Sequence, residues 1–198
     1  HTSSVWNDAS ADDAYLKNMA LSSKRAQSVL EYILRHSKEG DFLKKHLIHK
    51  IHFLGSGTSY NASQIAAYYF KHIAGMDADG NYPTVFKNYE RADWTGRFKK
   101  EEILYFGISQ SGTSISTIQA IKYGTDHGYP TLVLTEALHS EITKYGNAKI
   151  HLLCGEELTP PETRGYTVTI LQLYLLAWQA ALLNGTKTEA EYEEAIAE

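Results

Sequence analysis

The sequence predicts an α/β fold, a three-layer α-β-α sandwich around a five-stranded parallel sheet, with an N-terminal helical extension. Three observations point to it. Five short strand-like runs, at 50–54, 84–86, 103–108, 131–134 and 149–153, are separated by stretches of mostly helical apolar spacing, as expected for a sheet covered on both faces. Two of the runs feed turns rich in Gly, Ser and Thr, Gly55-Ser56-Gly57-Thr58-Ser59 and Ser109-Gln110-Ser111-Gly112-Thr113-Ser114, and each turn opens a helix. Ile170 to Leu183 is a long apolar stretch, but Gln172 and Gln179 interrupt it and it falls short of the roughly 20 residues that cross a bilayer, so it reads as a buried helix.

In order along the chain, Asp12 to about Lys38 carries Leu16, Met19, Val29, Leu30, Ile33 and Leu34 at helical spacing, which gives one long or two short amphipathic helices. Lys50 to Leu54 is a strand, and the helix after its turn runs from about Asn61 to Ala74 with Ala66, Tyr69 and Phe70 on one face. Residues 75–82 read as a polar turn. Their Asp/Gly/Asn spacing lacks the acidic twelfth position of a calcium loop. Thr84 to Phe86 follows as a brief strand, and Asn88 to Lys100 as a charged connection anchored by Trp94. Ile103 to Ile108 is a buried strand whose turn leads into a helix through Ile115, Ile118 and Ile121. Thr131 to Leu134 and Lys149 to Leu153 are strands on either side of a short helix from His139 to Tyr145. Pro160 and Pro161 keep Gly155 to Thr163 irregular, and the last core helix is closed by Asn184-Gly185. This divides the chain into a helical extension (1–45), one α/β domain (46–185) and a C-terminal helix (186–198). That helix has no closing Gly or Pro, so a longer chain, with a second domain beyond it, is expected.

A formal charge of −4, with 19 basic residues spread along 198 positions, argues against a nucleic-acid or anionic-membrane surface. A single cysteine, Cys154, excludes an intrachain disulfide and fits a reducing, cytoplasmic setting. Cys154 itself reads as a small core residue. His49 and His52 sit three apart on one strand and face opposite sides, so no metal site is expected, and nothing calls for a cofactor.

The turn at Ser109–Ser114 holds the chemistry. A helix N-terminus presents unpaired N–H groups and a positive dipole end, and four hydroxyls surround the same point, which suits an anion the size of a phosphate. Gly112 leaves room for close approach. Gly55-Ser56-Gly57 lacks the third glycine of a dinucleotide motif, and no turn has the Gly-Lys-Ser/Thr of a P-loop.

The Ser-Gln-Ser-Gly-Thr-Ser stretch, the earlier Gly-Thr-Ser turn and the later Glu162-Thr163-Arg164-Gly165-Tyr166-Thr167 together resemble the SIS (sugar isomerase) domain family. The likeness is to the first copy in tandem-SIS phosphosugar isomerases and deglycases, as in the isomerase half of glucosamine-6-phosphate synthase, and it covers roughly 24–185. It implies a flavodoxin-like or Rossmann-like topology. It also implies that Ser109, Gln110, Ser111 and Ser114 hold a sugar phosphate, with Gly57, Thr58 and Ser59 near the phosphate and the sugar hydroxyls. Thr113 stands where Glu is common in the family, and Glu162 where the synthase has Ser. In tandem isomerases the proton-moving residue and the ring-opening histidine lie in the second copy or in a neighbouring subunit. Within this chain Glu162 is the candidate base, with Glu157 behind it and His139 as a possible partner. A carboxylate at a helix start also answers the helix dipole, so Glu162 fits that role equally. The expected function is isomerisation, deamination or deglycation of a hexose or amino-sugar 6-phosphate by enolisation, in a homo-oligomer, commonly a dimer. The alternative is a non-catalytic phosphosugar sensor.

Overall fold

Strand β1 (Lys50–Gly55) is buried along its whole length and pairs on both sides, with β2 (Asp77–Asn81) and with β3 (Ile103–Ile108). Beyond β3 lie β4 (Thr131–Thr135) and β5 (Ala148–His151), so the order is β2-β1-β3-β4-β5, with every pair parallel. The computed structural model of the chain describes residues 47–155 and 163–197. The helical extension expected before residue 46 lies outside the described residues, as do Glu157 and Glu162.

Parallel pairing needs crossovers, and helices supply them on both faces. Helix α1 (Thr58–His72) and helix α4 (Arg164–Asn184) cover one face, where Ile51, Phe53, Leu104, Phe106, Leu132 and Leu134 point. Phe53 sits between Phe70 and Phe106, with ring centroids 5.1 Å from each. Helix α2 (Pro83–Tyr89) and helix α3 (Ile115–Asp126) cover the other, where Leu54, Ile103, Tyr105 and Val133 meet Phe86 and Ile121. Helix α4 is long and apolar enough to cross a bilayer, but 61% of its most apolar window is buried inside the fold. Gly185, at φ 74, turns the chain at its end, and the Asn184 side chain donates to the Ala74 carbonyl at 2.6 Å. Helix α5 (Glu189–Ala197) follows, and its Tyr192 packs on Trp178.

Three elements differ from the reading of the sequence. The polar turn expected at 75–82 contains β2, and the strand expected at 84–86 is part of α2. Pro83 at the first helical position starts α2, and only Pro83 and Phe86 are buried in it. The sequence of β2, Asp-Ala-Asp-Gly-Asn, has no apolar run because it is an edge strand: Ala78 is buried, while Asp77 and Asp79 both accept from Lys50 Nζ at 3.1 Å. Trp94 anchors nothing in the core; it is 64% exposed and donates to Glu90. The helix expected over 139–145 is a single 3₁₀ turn, Glu141–Lys144. Ile115, expected on the apolar face of α3, is exposed, whereas Ile121 is fully buried.

The polar row on β1 is balanced internally. Burial opposes the charge of Lys50, but its bonds to Asp77 and Asp79 outweigh that and raise its pKa. His52 is buried beside it and sits between the Ala92 carbonyl, 2.6 Å from Nε2, and the Asn81 side-chain nitrogen, 3.3 Å from Nδ1. That fits a neutral ring which donates from Nε2 and accepts at Nδ1. Burial holds His52 below the usual histidine value of 6.5, against the pull of the Ala92 carbonyl. The unfolded chain therefore binds the extra proton first as pH falls below 6.5, so stability from this site is complete above that pH and is lost going down. We expect His52→Gln, which keeps a donor and an acceptor, to flatten the fall of thermal stability below pH 6.5. For one proton that slope approaches about 1.4 kcal/mol per pH unit. Denaturation curves across that range check it, and an unchanged slope removes His52 as its source.

Candidate functional site

The strand order reverses between β1 and β3, and there the turns after the two strands lie side by side at the carboxyl edge of the sheet. A hydrogen bond joins them: Ser56 Oγ in the first turn is 2.8 Å from Ser116 Oγ in the start of α3. Gly55 lets α1 begin close to the sheet, since a side chain there would collide with the Ser59 backbone. Gly57, at φ 60, opens onto free space, with Thr58 exposed and Ser59 half-buried behind it.

The turn after β3 is fixed from three directions. Ser109 is buried and its N–H donates to the Leu134 carbonyl at 3.0 Å. The Gln110 carbonyl accepts from Glu136 N at 3.0 Å and from Thr135 Oγ1 at 3.1 Å, which ties the turn to the end of β4. Gly112 adopts φ 67 and packs on Ser140, where a side chain would overlap the Ser140 hydroxyl, and its carbonyl accepts from Ile142 N at 3.2 Å. Both the left-handed backbone and the lack of space call for glycine. The Gln110 carboxamide lies against Gly165, at the start of α4, and donates to Cys154 Sγ at 3.6 Å. Cys154 is buried, as expected of a small core residue, and it also forms part of the floor beneath this turn.

Ser111 and Thr113 face outward, their hydroxyls 2.8 Å apart. Ser114 is the N-cap of α3, yet its side chain caps no backbone group and instead accepts from Thr117 Oγ1 at 3.0 Å. Helices α1, α3 and α4 all begin at this edge, and none has a side-chain cap or an acidic residue in its first turn. Among the described residues, no carboxylate in the first turns of α1 and α3 offsets their positive ends. Four hydroxyls and two such helix ends make this edge suited to a phosphorylated ligand.

Of the residues singled out from sequence, Gly57, Thr58, Ser59, Ser109, Gln110, Ser111 and Ser114 fall at this edge on adjacent strands. His139 is exposed in the loop after β4 and forms no hydrogen bond or ion pair among the described residues. The carboxylate missed from sequence is Glu136. It follows β4 directly, its Oε2 accepts from Cys154 N at 2.8 Å, and its Oε1 lies 3.3 Å from His151 Nε2. Its place just past an apolar strand, at the edge where ligands collect, was the available signal. Leu153, at φ 59, turns the chain so that Cys154 faces inward, in a conformation that costs a non-glycine residue about 1–2 kcal/mol. Among the described residues no group of three or more His, Cys, Asp or Glu side chains has the arrangement of a metal site.

Comparison with known proteins agrees with this geometry. The family model for the SIS domain matches residues 47–183. The chain is 28% identical over 153 residues to the isomerizing glutamine-fructose-6-phosphate aminotransferase of Fusobacterium nucleatum, and 27% identical over 154 residues to that of Methanosarcina mazei. These alignments cover 77% and 78% of this chain but 24% of each relative, so the chain spans about a quarter of their length. Among solved structures it resembles a protein of Clostridium difficile 630 that is provisionally described as a phosphosugar isomerase, with a TM-score of 0.78 and 26% identity, covering 91% of this chain and 50% of that one. The Vibrio vulnificus NanR protein complexed with ManNAc-6P shares the fold, with a TM-score of 0.63 and 19% identity over 90% of this chain and 66% of that one. The turns at the strand reversal are therefore those of a SIS domain, and the chain belongs to the SIS domain family.

Proposed function

We propose that this chain binds a hexose or amino-sugar 6-phosphate with its phosphate on Ser109–Ser114 and its sugar toward Gly57, Thr58 and Ser59. The observation that carries this is the meeting of the N-termini of α1 and α3, without side-chain caps or acids in their first turns, on a hydroxyl-rich turn at the strand reversal. The ligand would gain charge-assisted bonds from hydroxyls and backbone N–H groups together. The proposed reaction is aldose-ketose isomerisation, deamination or deglycation by enolisation. It needs a base to take the proton beside the carbonyl and a donor to stabilise the enediolate oxygen. Glu162 is the proposed base, and Glu136, held by Cys154 N and His151, is a second carboxylate at the same edge. Groups missing from this chain would come from a second domain or from another copy in a homo-oligomer.

A second reading is a phosphosugar sensor without turnover. Support for it comes from the described edge itself, whose carboxylate Glu136 is already engaged, and from the structural likeness to NanR.

Ser111 is exposed, so Ser111→Ala is expected to leave the melting temperature unchanged while weakening fructose 6-phosphate binding about tenfold, the value of one charge-assisted bond. Calorimetric titration measures it; full affinity in a folded variant removes the turn from the site. For catalysis, proton NMR of fructose 6-phosphate and glucosamine 6-phosphate in deuterated water reads exchange at the carbons beside the carbonyl. Exchange above the protein-free control supports the enzyme, and ligand broadening without exchange supports the sensor. Glu162→Gln is expected to abolish exchange while binding persists, whereas unaltered exchange excludes Glu162 as the base.

A further inference from the structure

At the amino edge of the sheet, opposite the hydroxyl turns, a cleft of about 300 Å³ opens between the start of β1 and the end of α4. Ile48, Met76 and Ala180 line it and are buried, while Leu47 and Leu183, which also line it, are 71% and 43% exposed. A single exposed leucine is ordinary on a protein surface, but two from distant parts of the chain that meet at one cleft make an apolar patch that calls for a cover. Leu47 is also at φ 48, a left-handed conformation that persists in a non-glycine residue only where its surroundings impose it.

The sequence supplies an occupant. Leu47 is the first of the described residues, and the chain before it carries Val29, Leu30, Ile33 and Leu34, with Leu16 and Met19 further back, at helical spacing. An amphipathic helix gains most of its stability in a protein by laying its apolar side on another surface. Reach is not limiting, because residues 35–46 span up to about 40 Å when extended. Charge fits as well. Helices α1 and α4 both end at this edge, so their negative ends point there, and α4 has no basic residue in its last turn. Arg35, Lys38, Lys44 and Lys45 lie between the apolar run and Leu47, so docking brings positive charge to those ends. Because the segment is tethered, it meets the cleft at an effective concentration on the order of millimolar, which favours it over a second copy of the chain in dilute solution.

We propose that this cleft is the docking site of the chain's own N-terminal amphipathic segment, with Val29, Leu30, Ile33 and Leu34 laid against Met76, Ala180 and Leu183. The segment closes the amino edge of the sheet and leaves the hydroxyl turns at the other edge open. The inference does not rest on the phosphosugar assignment.

Methyl NMR of the whole chain is the first test. The expected result is a set of cross-peaks from the Ile33 and Leu34 methyls to those of Leu183 and Met76, which vanish when labelled and unlabelled copies are mixed and only contacts between copies are detected. The second test reads trypsin cleavage after Arg35, whose rate follows the population of the undocked segment. Leu183→Asp, a change at a half-exposed position that leaves the core intact, is expected to speed that cleavage at least about fivefold, and Ile33→Asp to do the same, with little added when the two are combined. The proposal is overturned if the segment's methyls show no contact with Leu183 or Met76, if those contacts run between copies, which makes the occupant a second chain, or if Leu183→Asp speeds the cleavage less than about fivefold.

Discussion

The reversal of strand order between β1 and β3 is the constraint on which the functional surface depends. In a parallel sheet every crossover helix starts at the carboxyl edge, so the helix dipoles share one direction. At a reversal the two crossovers leave in opposite directions, one to each face, and a crevice opens between their first turns. Here α1 leaves β1 on one face and α3 leaves β3 on the other, and the Ser56–Ser116 hydrogen bond spans the crevice. Helix α4 adds its positive end through the contact of Gly165 with Gln110. Ordinarily Asp, Ser or Thr would cap such ends. At α1 and α3 no side chain does so, and that leaves backbone donors and a positive potential that an anion would satisfy.

That surface was legible in the sequence because glycines and hydroxyls cluster where an apolar run stops. β1, β3 and β4 were legible for a related reason: strands buried on both faces need apolar residues nearly throughout. β2 was not, because its identity comes from pairing. Asp77 and Asp79 are poor strand residues taken alone, and they are held in β2 by Lys50, which lies 27 and 29 positions away in sequence. In place of β2, the β-branched and aromatic Thr84-Val85-Phe86 suggested a strand. Pro83 and the single buried face of α2 overruled that preference. Glu136 was hidden by the same distance effect, since nothing near it in the chain announces the contacts to His151 and Cys154 that hold it.

The opposite edge of the sheet shows what an edge strand needs in order to stay paired. Lys50, buried along β1, is kept charged by two aspartates; Lys71 reaches Asp79 and Arg97 reaches Asp77 from outside. Each exposed partner contributes little, but the inner pair leaves Lys50 no unpaired charge in the core. The loop from Glu90 to Lys100 covers this row and supplies the Ala92 carbonyl that orients His52.

The proposed roles at the strand reversal follow from how each part is held. The proposed binding groups sit on turns locked by β4, by the 3₁₀ turn and by α4, and a locked donor array would gain the most from an anion because little order is lost on binding. The proposed proton transfer has a different requirement: a base would have to reach a carbon several bonds from the phosphate, so it could not belong to the turn proposed to hold that phosphate. Glu136 stands at the correct edge, but its two oxygens already serve Cys154 N and His151. A carboxylate with both oxygens already bonded has no free oxygen to turn toward a substrate carbon. On the proposed reading the base comes from chain outside the locked turns, so ligand binding and turnover would be separable.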